Sequence, residues 1–464
     1  MQTSTPTDLS IDRIRDLVSG TVIGPDDAEY EAARVAFVGG IDKHPAAIVR
    51  VANTNDIAAV IRLARETGVP LSIRSGGHSA TGQSLNDDGL VIDLHELKGI
   101  ELDVTGKTVW AGAGLTAEEL SRAVAAHDLA IGFGDMGSVG IGGITLGGGV
   151  GYLGRKFGLT IDSLLAAELV TAEGEVLLVD AKSHPDLFWA IRGGGGNFGV
   201  ATRFKYRLHE LGTVYGGMLL LPATAETVAG FIAAAEAAPD ELSTIANVMP
   251  APPMPFLAPE LHGKLAIMAL LIYSGDPRAG EQAVAPLRAL ATPMADMLHP
   301  MPYPDIYPPE DNSYHPLAIA RTLYIDSFDI ETARLVMERL EASDAAMRAA
   351  QIRVLGGATA RVPNEATAYA HRDRKIMVNI ATFYEGDDKA TRERWVNEFV
   401  AALAAGERPG AYVNFLAEDG PARIREAYPG STWDRLVEVK RRYDPDNVFN
   451  QNLNVDPKAA VVGS

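Results

Sequence analysis

The sequence predicts an α+β protein built from two domains, and three observations carry this prediction. Its 464 residues exceed the length of one ordinary domain. Between 47 and 74, an apolar run, a helical pattern and a second apolar run follow one another, which is typical of a β-α-β unit. Beyond about residue 212, alanine-rich helical patterns alternate with strands. We therefore expect a domain on each side of that point.

The β-α-β unit is predicted from hydrophobic spacing and helix boundaries. Residues 47–52 form an apolar run, and Thr54 or Asn55 is suited to cap the following helix. That helix has apolar residues at 57, 60, 61 and 64, the spacing of one buried face, and Gly68 is suited to end it. Residues 71–74 form the second strand, which we expect to lie parallel to the first in one sheet.

The elements that follow are predicted from local signals. Thr116 and Glu119 have the spacing of a capping box, which predicts the start of a helix. Apolar runs at 165–170 and 176–179 flank Glu173 and Gly174, as in a β-hairpin. Further strands are expected at 90–94, 108–111 and 264–273, and further helices at 186–191, 224–237 and after 430.

Charge and composition exclude several classes of function. The 60 acidic and 41 basic residues give a net charge of -19, which would repel a nucleic acid or an anionic membrane surface. The chain has no cysteine, which excludes a disulfide framework, a thiolate metal site and a cysteine nucleophile. The first residues do not resemble a signal peptide, and no apolar run reaches the roughly 20 residues of a membrane span. We expect a cytoplasmic protein without a metal site.

Two glycine-rich runs stand out, SVGIGGITLGGGVG at 138–151 and RGGGGNFGV at 192–200. Glycine lets the backbone approach a ligand closely and exposes N–H donors that suit a pyrophosphate. A nicotinamide dinucleotide motif needs a strand directly before such a run and a helix that opens on it. The first run follows a polar loop, and we expect no apolar helix to begin there. A nicotinamide-dependent dehydrogenase is therefore disfavoured.

His78 differs from the other histidines in its surroundings. It lies in the loop RSGGHS at 74–79, directly after the second strand of the β-α-β unit. Ligands of parallel sheets collect beyond the carboxyl ends of the strands, and a neutral imidazole is a competent nucleophile. The small residues before His78 leave room for a planar cofactor. The alternative interpretation is an ordinary hydrogen-bonded loop histidine.

Four motifs follow one another along the chain: IRSGGHS at 73–79, SVGIGGITLGGGVGYLGRKFGLTID at 138–162, WAIRGGGGNFGVAT at 189–202 and YDPDNVFNQNLN at 443–454. In this order they resemble the berberine-bridge-enzyme-like oxidases of the vanillyl-alcohol-oxidase superfamily, whose FAD-binding domain is of the p-cresol-methylhydroxylase type. The resemblance implies an FAD-binding domain from 1–212 and 430–464. It also implies a substrate-binding domain of antiparallel sheet and helices from 213–429.

The resemblance further implies which residues hold the FAD. His78 would be bonded to the C8-methyl carbon of the flavin ring. The other residues of its loop would surround the pyrophosphate, the glycine runs would line the flavin, and two asparagines would approach the ring from the C-terminal half. The cofactor-binding positions implied in this way are Arg74, Ser75, Gly76, Gly77, His78, Ser79, Ser138, Val139, Gly142, Gly143, Gly148, Gly149, Gly151, Val200, Asn414 and Asn452.

One departure from the family pattern concerns the attachment of the flavin. Many relatives attach it a second time, through a cysteine at the position of Met136. Because this chain has no cysteine, only a single histidyl link is expected. That arrangement is similar to the nicotine oxidases and differs from the oligosaccharide oxidases.

A second departure concerns the catalytic base. Relatives that use a tyrosine base place it at the end of a Tyr-x-Asn-Tyr motif, where this chain has Phe415. Tyr412 and Asn414 are the remaining candidates for catalytic residues in that motif, with Arg353 and His371 as candidate partners in the pocket. The alternative is that Tyr412 packs in the core with its hydroxyl hydrogen-bonded.

The function implied is the oxidation of a small molecule by FAD, with hydride taken from a C–H bond next to oxygen or nitrogen. Dioxygen would be the electron acceptor. In relatives, a small valine at the position of Val139 goes with oxidases and larger aliphatic residues go with dehydrogenases. Four alternatives stay open: a dehydrogenase of the same fold with another acceptor, a carbohydrate oxidase, a flavin-binding protein without activity, and the disfavoured nicotinamide-dependent dehydrogenase.

Overall fold

The computed structural model describes residues 9–461 except 308, 310, 312, 313 and 417–419. The strands are β1 Thr21–Ile23, β2 Ala47–Arg50, β3 Leu71–Arg74, β4 Leu90–Asp93, β5 Ile100–Asp103, β6 Thr108–Gly112, β7 Leu129–Ala130, β8 Leu164–Val170, β9 Val176–Asp180, β10 Val200–Arg207, β11 His209–Glu210, β12 Thr213–Pro222, β13 Leu242–Pro250, β14 Leu265–Tyr273, β15 Ala295–Asp296, β16 His299–Pro302, β17 Ala318–Ile325, β18 Arg348–Val354 and β19 Ile376–Phe383. The α-helices are α1 Ile11–Leu17, α2 Tyr30–Ala33, α3 Thr54–Thr67, α4 Ala117–Ala125, α5 Ile141–Gly147, α6 Gly154–Phe157, α7 Pro185–Ala190, α8 Ala225–Ala237, α9 Pro277–Arg288, α10 Ile330–Glu341, α11 Ala358–Arg361, α12 Lys389–Leu403, α13 Gly420–Ala427 and α14 Ser431–Tyr443.

The first sheet contains the predicted β-α-β unit. Its order is β1-β2-β4-β3, and both β2 and β3 pair with β4 in parallel. The two predicted strands therefore lie parallel in one sheet, with β4 between them. Gly68 ends α3 with a φ of 71°, as predicted. The predicted cap was wrong by one residue, because Asn53 has the extended backbone and its side chain accepts hydrogen bonds from the backbone nitrogens of Asn55 and Asp56.

The second sheet is antiparallel and has the order β5-β6-β10-β8-β9. The predicted hairpin is confirmed by the pairing of β8 with β9. The predicted capping box is confirmed as well, since Thr116 and Glu119 exchange hydrogen bonds at the start of α4. A two-stranded sheet of β7 and β11 lies beside it.

The third sheet is also antiparallel, in the order β15-β12-β14-β13-β18-β19-β17, with β16 paired to β12. Helices α8, α9, α10 and α12 bury apolar side chains against one face of it, and these form a second core with the sheet. The opposite face turns toward the first two sheets, because Ile245 and Ile272 belong to the first core. The α+β class is therefore confirmed.

One expectation about the first glycine run was wrong, because α5 begins inside it. Gly140 precedes the helix, Ile141 donates its backbone N–H to Leu115 O at 2.9 Å, and Ile141 and Thr145 are fully buried. These tertiary contacts override the low helix propensity of a glycine-rich segment. A loop rather than a strand precedes α5, so the dinucleotide motif is still not met.

The C-terminal segment returns to the first core. Trp433, Leu436, Phe449 and Val455 are buried there, beside residues from the first two sheets. In the part of the chain that the structure describes, no helix is both long enough and apolar enough to cross a membrane.

Candidate active site

The loop after β3 holds His78 between an aromatic ring and a hydroxyl group. Gly77 turns the chain there with a φ of 71°, a conformation that favours glycine. The ring of Phe37 stacks on the imidazole, with centroids 4.0 Å apart and an interplanar angle of 16°. Ser138 Oγ lies 2.8 Å from His78 Nε2, within hydrogen-bond distance. The two contacts fix both the plane and the in-plane orientation of the imidazole.

The His78 loop and the first glycine run are packed backbone to backbone. A side chain on Gly76 would overlap the backbone nitrogen of Gly140, and a side chain on Gly140 would overlap Gly76. Ser75 Oγ donates to Ala113 O at 2.7 Å and accepts from Gly142 N at 3.3 Å. The structure therefore brings the first two motifs into direct contact.

The second glycine run and the C-terminal motif complete the same region. Gly193 N and Gly195 N both donate to Leu146 O in α5, at 2.9 and 3.0 Å. Asn452 Nδ2 donates to Gly196 O at 3.1 Å. All four sequence motifs therefore meet around α5.

Several of the glycines implied to line the flavin are explained by packing within the protein. A side chain on Gly149 would overlap Thr160, and one on Gly151 would overlap the carbonyl of Phe133. A side chain on Gly148 would meet the ring of Tyr369 at 3.1 Å. These glycines allow the loop after α5 to lie close to its neighbours, whether or not a ligand is bound.

Other positions border open space that could hold FAD, and we call this space the cradle. At Gly143 and at Gly196, no atom beyond the neighbouring residues and the glycine's own helix lies within 4 Å of the place where a Cβ would stand. Among the described residues, nothing donates a hydrogen bond to the buried amide oxygen of Asn452. Open space beside glycine backbone, together with a buried acceptor that lacks a donor, is what a dinucleotide with hydroxyl and N–H donors can fill.

Three further positions from the family pattern are engaged in contacts of their own. The Arg74 guanidinium donates to Ala33 O and, at 2.8 Å, to Val35 O. Ser79 Oγ accepts hydrogen bonds from backbone nitrogens two and four residues later, which closes a turn. Val200 is buried in the first core with 1% exposure. The geometry alone does not direct these three side chains at the cradle.

Tyr412 and Asn414 lie beneath the loop that follows α5. The Tyr412 hydroxyl accepts hydrogen bonds from Gly149 N at 3.0 Å, Val150 N at 3.3 Å and Asn414 Nδ2 at 2.9 Å. Asn414 Nδ2 also donates to Ile144 O at 3.3 Å. Burial raises the pKa of the Tyr412 phenol, and the three hydrogen bonds offset this only in part. This is the hydrogen-bonded core arrangement that was the alternative for Tyr412.

Arg353 lies where the two halves of the protein meet, and its partner Asp135 was missed in the sequence. Arg353 Nη2 donates to Asp135 Oδ2 at 2.6 Å and to Gln351 Oε1 at 2.7 Å. Its guanidinium carbon lies 5.1 Å from the ring centroid of Phe415. The one sequence signal for Asp135 is its position directly before Met136, where many relatives have the cysteine that attaches the flavin a second time. The structure places Arg353 beside Phe415 of the Tyr412 motif, and its role as a partner in the pocket stays a prediction.

A row of polar side chains crosses the sheet face that is turned away from the helices. Asn247 lies opposite Gln351, Gln351 opposite Asn379, and Asn379 opposite Thr322. Gln351 Nε2 donates to Asn247 Oδ1 at 3.0 Å, and Thr322 Oγ1 donates to Asn379 Oδ1 at 3.2 Å. Single polar residues within apolar strands were the available signal, but the pairing of four distant strands cannot be read from sequence.

His371 lies behind Tyr412 in an aromatic cluster. Its ring stacks on Tyr324 at 4.9 Å, its Nε2 lies 3.1 Å from Ala427 O, and the Tyr324 hydroxyl lies 2.9 Å from that of Tyr369. The side chain is buried, and burial lowers the pKa of His371 to about 4. His371 therefore supports the site as a neutral, buried ring.

Two family profiles match the regions that carry this geometry. The profile for the FAD binding domain matches residues 45–180, which include the His78 loop and the first glycine run. The profile for berberine and berberine-like proteins matches residues 411–456, which include Tyr412, Asn414 and the C-terminal motif.

Similar proteins extend over nearly the whole chain. The (R)-6-hydroxynicotine oxidase of Paenarthrobacter nicotinovorans is 28% identical over 96% of this chain and 98% of its own length. An uncharacterized FAD-linked oxidoreductase of Bacillus subtilis is 28% identical over 95% of this chain and 97% of its own. The crystal structure of 6-hydroxy-D-nicotine oxidase from Arthrobacter nicotinovorans superposes with a TM-score of 0.83 and 27% identity, over 95% of this chain and 98% of that one.

Glucooligosaccharide oxidase from Acremonium strictum shares the fold, with a TM-score of 0.84 and 22% identity over 96% of this chain and all of its own. The two profiles match segments that meet around α5. Over nearly its whole length the chain is similar to the berberine-bridge-enzyme-like FAD-linked oxidoreductases, and it has the fold of the vanillyl-alcohol-oxidase type.

Proposed function

We propose that the protein is an oxidase of small molecules that carries its FAD covalently on His78. FAD, when bound, takes hydride from a substrate C–H bond next to oxygen or nitrogen and passes the electrons to dioxygen. The observation that carries the proposal is the fixed imidazole of His78, held by Phe37 and Ser138 at the edge of the glycine-lined cradle. The absence of cysteine limits the attachment to one bond.

The residues of the chain supply binding and orientation. Gly143, Gly196 and Asn452 border the space for the cofactor, and Tyr412 with Asn414 holds the loop after α5 in place. We assign the polar row that starts at Asn247, together with Arg353 and Asp135, to the wall of the substrate pocket. This wall carries amides and one internally paired charge, so it suits small substrates with hydrogen-bonding groups.

The test is the fate of the flavin on denaturation. The purified protein should be yellow, should keep its flavin after acid precipitation, and should yield a His78 peptide with the added mass of FAD. His78→Ala should release its flavin under the same treatment. Free release of the flavin from the wild type would refute the covalent attachment, and the FAD-linked family assignment would stand.

The oxidase activity is tested separately. Alcohols, amines and sugars are screened anaerobically for bleaching of the flavin, and the reduced protein is then mixed with dioxygen. Fast reoxidation with release of hydrogen peroxide is expected. Turnover that requires an artificial acceptor would instead indicate a dehydrogenase of the same fold.

A further inference from the structure

A segment of the N-terminal region covers the His78 loop and connects it to the other domain. Phe37 N donates to Gly77 O at 3.2 Å, and the Phe37 ring covers the imidazole. Phe37 O lies 3.2 Å from His315 Nδ1, and Gly39 N donates to Pro316 O at 3.0 Å. The position of the Phe37 ring is therefore fixed from both sides.

We propose that Phe37 and Ser138 are positioning residues for the covalent attachment of FAD, an inference that rests on the attachment proposed for His78. The stack at 4.0 Å and 16° prevents the imidazole from tilting out of its plane, and the hydrogen bond at Nε2 prevents it from rotating within the plane. A nucleophile held in one orientation reacts faster, because the ordering has been achieved before the reaction begins.

The attachment step defines what the two residues have to do. A bond forms between an imidazole nitrogen and the 8-methyl carbon of the flavin. One C–H bond of that methyl group and the N–H bond of the imidazole break, and two protons are released. Two bonds break and one forms, which leaves one electron pair, and this pair reduces the cofactor. Dioxygen then reoxidises the cofactor and takes up two protons to form hydrogen peroxide. No protein oxidant is needed.

Ser138 also determines which nitrogen reacts. In a neutral imidazole, the hydrogen bond made by one nitrogen decides the tautomer. We assign Ser138 Oγ as the acceptor of the Nε2 proton, which makes Nδ1 the nucleophilic nitrogen. Phe37 controls the direction of that lone pair, and Ser138 controls its availability.

The chain contains a matched control for both contacts. Phe157 stacks on His209 with centroids 4.2 Å apart and an angle of 15°, and Ser163 Oγ lies 2.9 Å from His209 Nε2. This second set has the same geometry, and although Phe157 belongs to the second motif, it lies in α6, after the glycine-rich part that packs against the His78 loop. Phe157→Ala and Ser163→Ala therefore remove equivalent contacts without affecting His78.

The experiment uses the full chain prepared without flavin and mixed with FAD. Two quantities are followed over time: the flavin that stays with the native protein on gel filtration, and the flavin that resists acid precipitation. Phe37→Ala and Ser138→Ala should bind FAD but form the covalent product about tenfold more slowly or worse. Phe37→Tyr should restore the rate, and Phe157→Ala and Ser163→Ala should match the wild type.

The outcomes separate the two proposals. If the wild type never forms an acid-stable flavin, the attachment proposal fails and this inference fails with it. If the wild type forms it and the Phe37 and Ser138 variants do so at the same rate, only the positioning role is refuted. Should Phe37→Ala fail to hold FAD at all, Phe37→Leu decides, because it keeps most of the volume without the planar stack.

Discussion

At the scale of the residue, the hydrogen bonds and the burial of the Tyr412 hydroxyl disfavour its use in proton transfer. It accepts hydrogen bonds from the backbone N–H groups of Gly149 and Val150 and from the side-chain amide of Asn414. A tyrosine acts as a base only when it is deprotonated, and burial keeps the pKa of Tyr412 above its usual value. The geometry therefore favours a role in holding the loop after α5 over the predicted role as the base.

Tyr412→Phe should leave the rate of flavin reduction nearly unchanged at every pH. It should lower the free energy of unfolding by about 1–3 kcal/mol, because the buried N–H groups of Gly149 and Val150 lose their acceptor. Stopped-flow reduction across pH and denaturant unfolding measure the two effects. A loss of about a hundredfold in the reduction rate, with one ionisation missing from the pH profile, would restore Tyr412 as the base.

Val139 is the residue that the family pattern connects with the reaction of dioxygen. Its side chain is half-buried, and its backbone oxygen accepts a hydrogen bond from Ala117 N at 2.8 Å, which fixes the chain there. Val139→Leu should slow the reoxidation of reduced flavin by about tenfold, equivalent to about 1.4 kcal/mol of barrier. Anaerobic reduction should proceed at the wild-type rate. Equal reoxidation rates in the two proteins would argue against such a gate.

His371 should make the stability of the protein sensitive to acid. Burial lowers its pKa from 6.5 to about 4, so the unfolded chain binds the proton more tightly. The stabilisation is complete above pH 6.5 and is lost as the pH falls toward 4. Between pH 7 and pH 4.5 the wild type should lose about 2 kcal/mol more than His371→Gln. Denaturant unfolding at several pH values measures this loss. His95→Gln, at an exposed position, is the control. If the free energy of unfolding changes with pH equally in the wild type and in His371→Gln, the prediction is contradicted.

At the scale of the element, local patterns were sufficient wherever neighbours in sequence are neighbours in space. The helix α3, its end at Gly68 and the hairpin of β8 and β9 follow from spacing and turn residues. Helix α5 could not be predicted, because Ile141 is held by Leu115 rather than by its own propensity. The strand β4 was predicted, but its place between β2 and β3 was not, since strand order depends on contacts between distant segments.

The candidate site follows the same rule. His78 and the glycine runs were recognisable because each motif is contiguous in the sequence. Asp135 was not, because its partner Arg353 belongs to another part of the chain. Gln351 was not, because a single polar residue in a strand carries no motif. The stack of Phe37 on His78 could not be predicted for the same reason.

The return of α14 to the second glycine run depends on one buried lysine. Lys440 Nζ donates to Asp444 Oδ2 at 2.7 Å, to Asn197 O at 2.8 Å and to Phe449 O at 2.9 Å. Lys440→Met would leave the carboxylate and both carbonyls without this donor. We expect a loss of about 3–5 kcal/mol in the free energy of unfolding and weaker binding of FAD.

Denaturant unfolding and FAD titration test this prediction. Lys182→Met, at an exposed position, serves as the control and should behave like the wild type. If Lys440→Met unfolds at the same denaturant concentration as Lys182→Met, the lysine does not anchor α14.

At the scale of the whole molecule, charged contacts join the helix-covered sheet to the first two sheets. Arg353 pairs with Asp135 beside the site, and Arg155 Nη1 donates to Leu355 O at 2.7 Å. The residues proposed to hold FAD and the polar row proposed to line the substrate pocket belong to different parts of the chain. Their relative position therefore depends on these contacts, and a loss at the interface should affect the site as well as the stability.

The Arg372–Asp162 pair gives the sharpest test of this dependence. Arg372 Nη1 and Nη2 donate to the two oxygens of Asp162 at 2.7 Å each, with side-chain exposures of 1% and 11%. Breaking a buried pair leaves an uncompensated charge, so Arg372→Met should lower the free energy of unfolding by about 3–5 kcal/mol. The free energy of unfolding of Arg372→Lys should lie between those of the wild type and Arg372→Met, since an ammonium group cannot bind both oxygens in the same geometry.

The matched control is Arg122, whose ion pair with Asp305 joins the same two parts of the chain at 3.0 Å but is exposed, with side-chain exposures of 51% and 46%. Because exposed pairs contribute little, Arg122→Met should cost less than about 1 kcal/mol. Arg372→Met should also weaken binding of the first substrate found by the screen, whereas Arg122→Met should not. Equal unfolding free energies for the two variants would mean that the buried pair does not hold these two parts of the chain together.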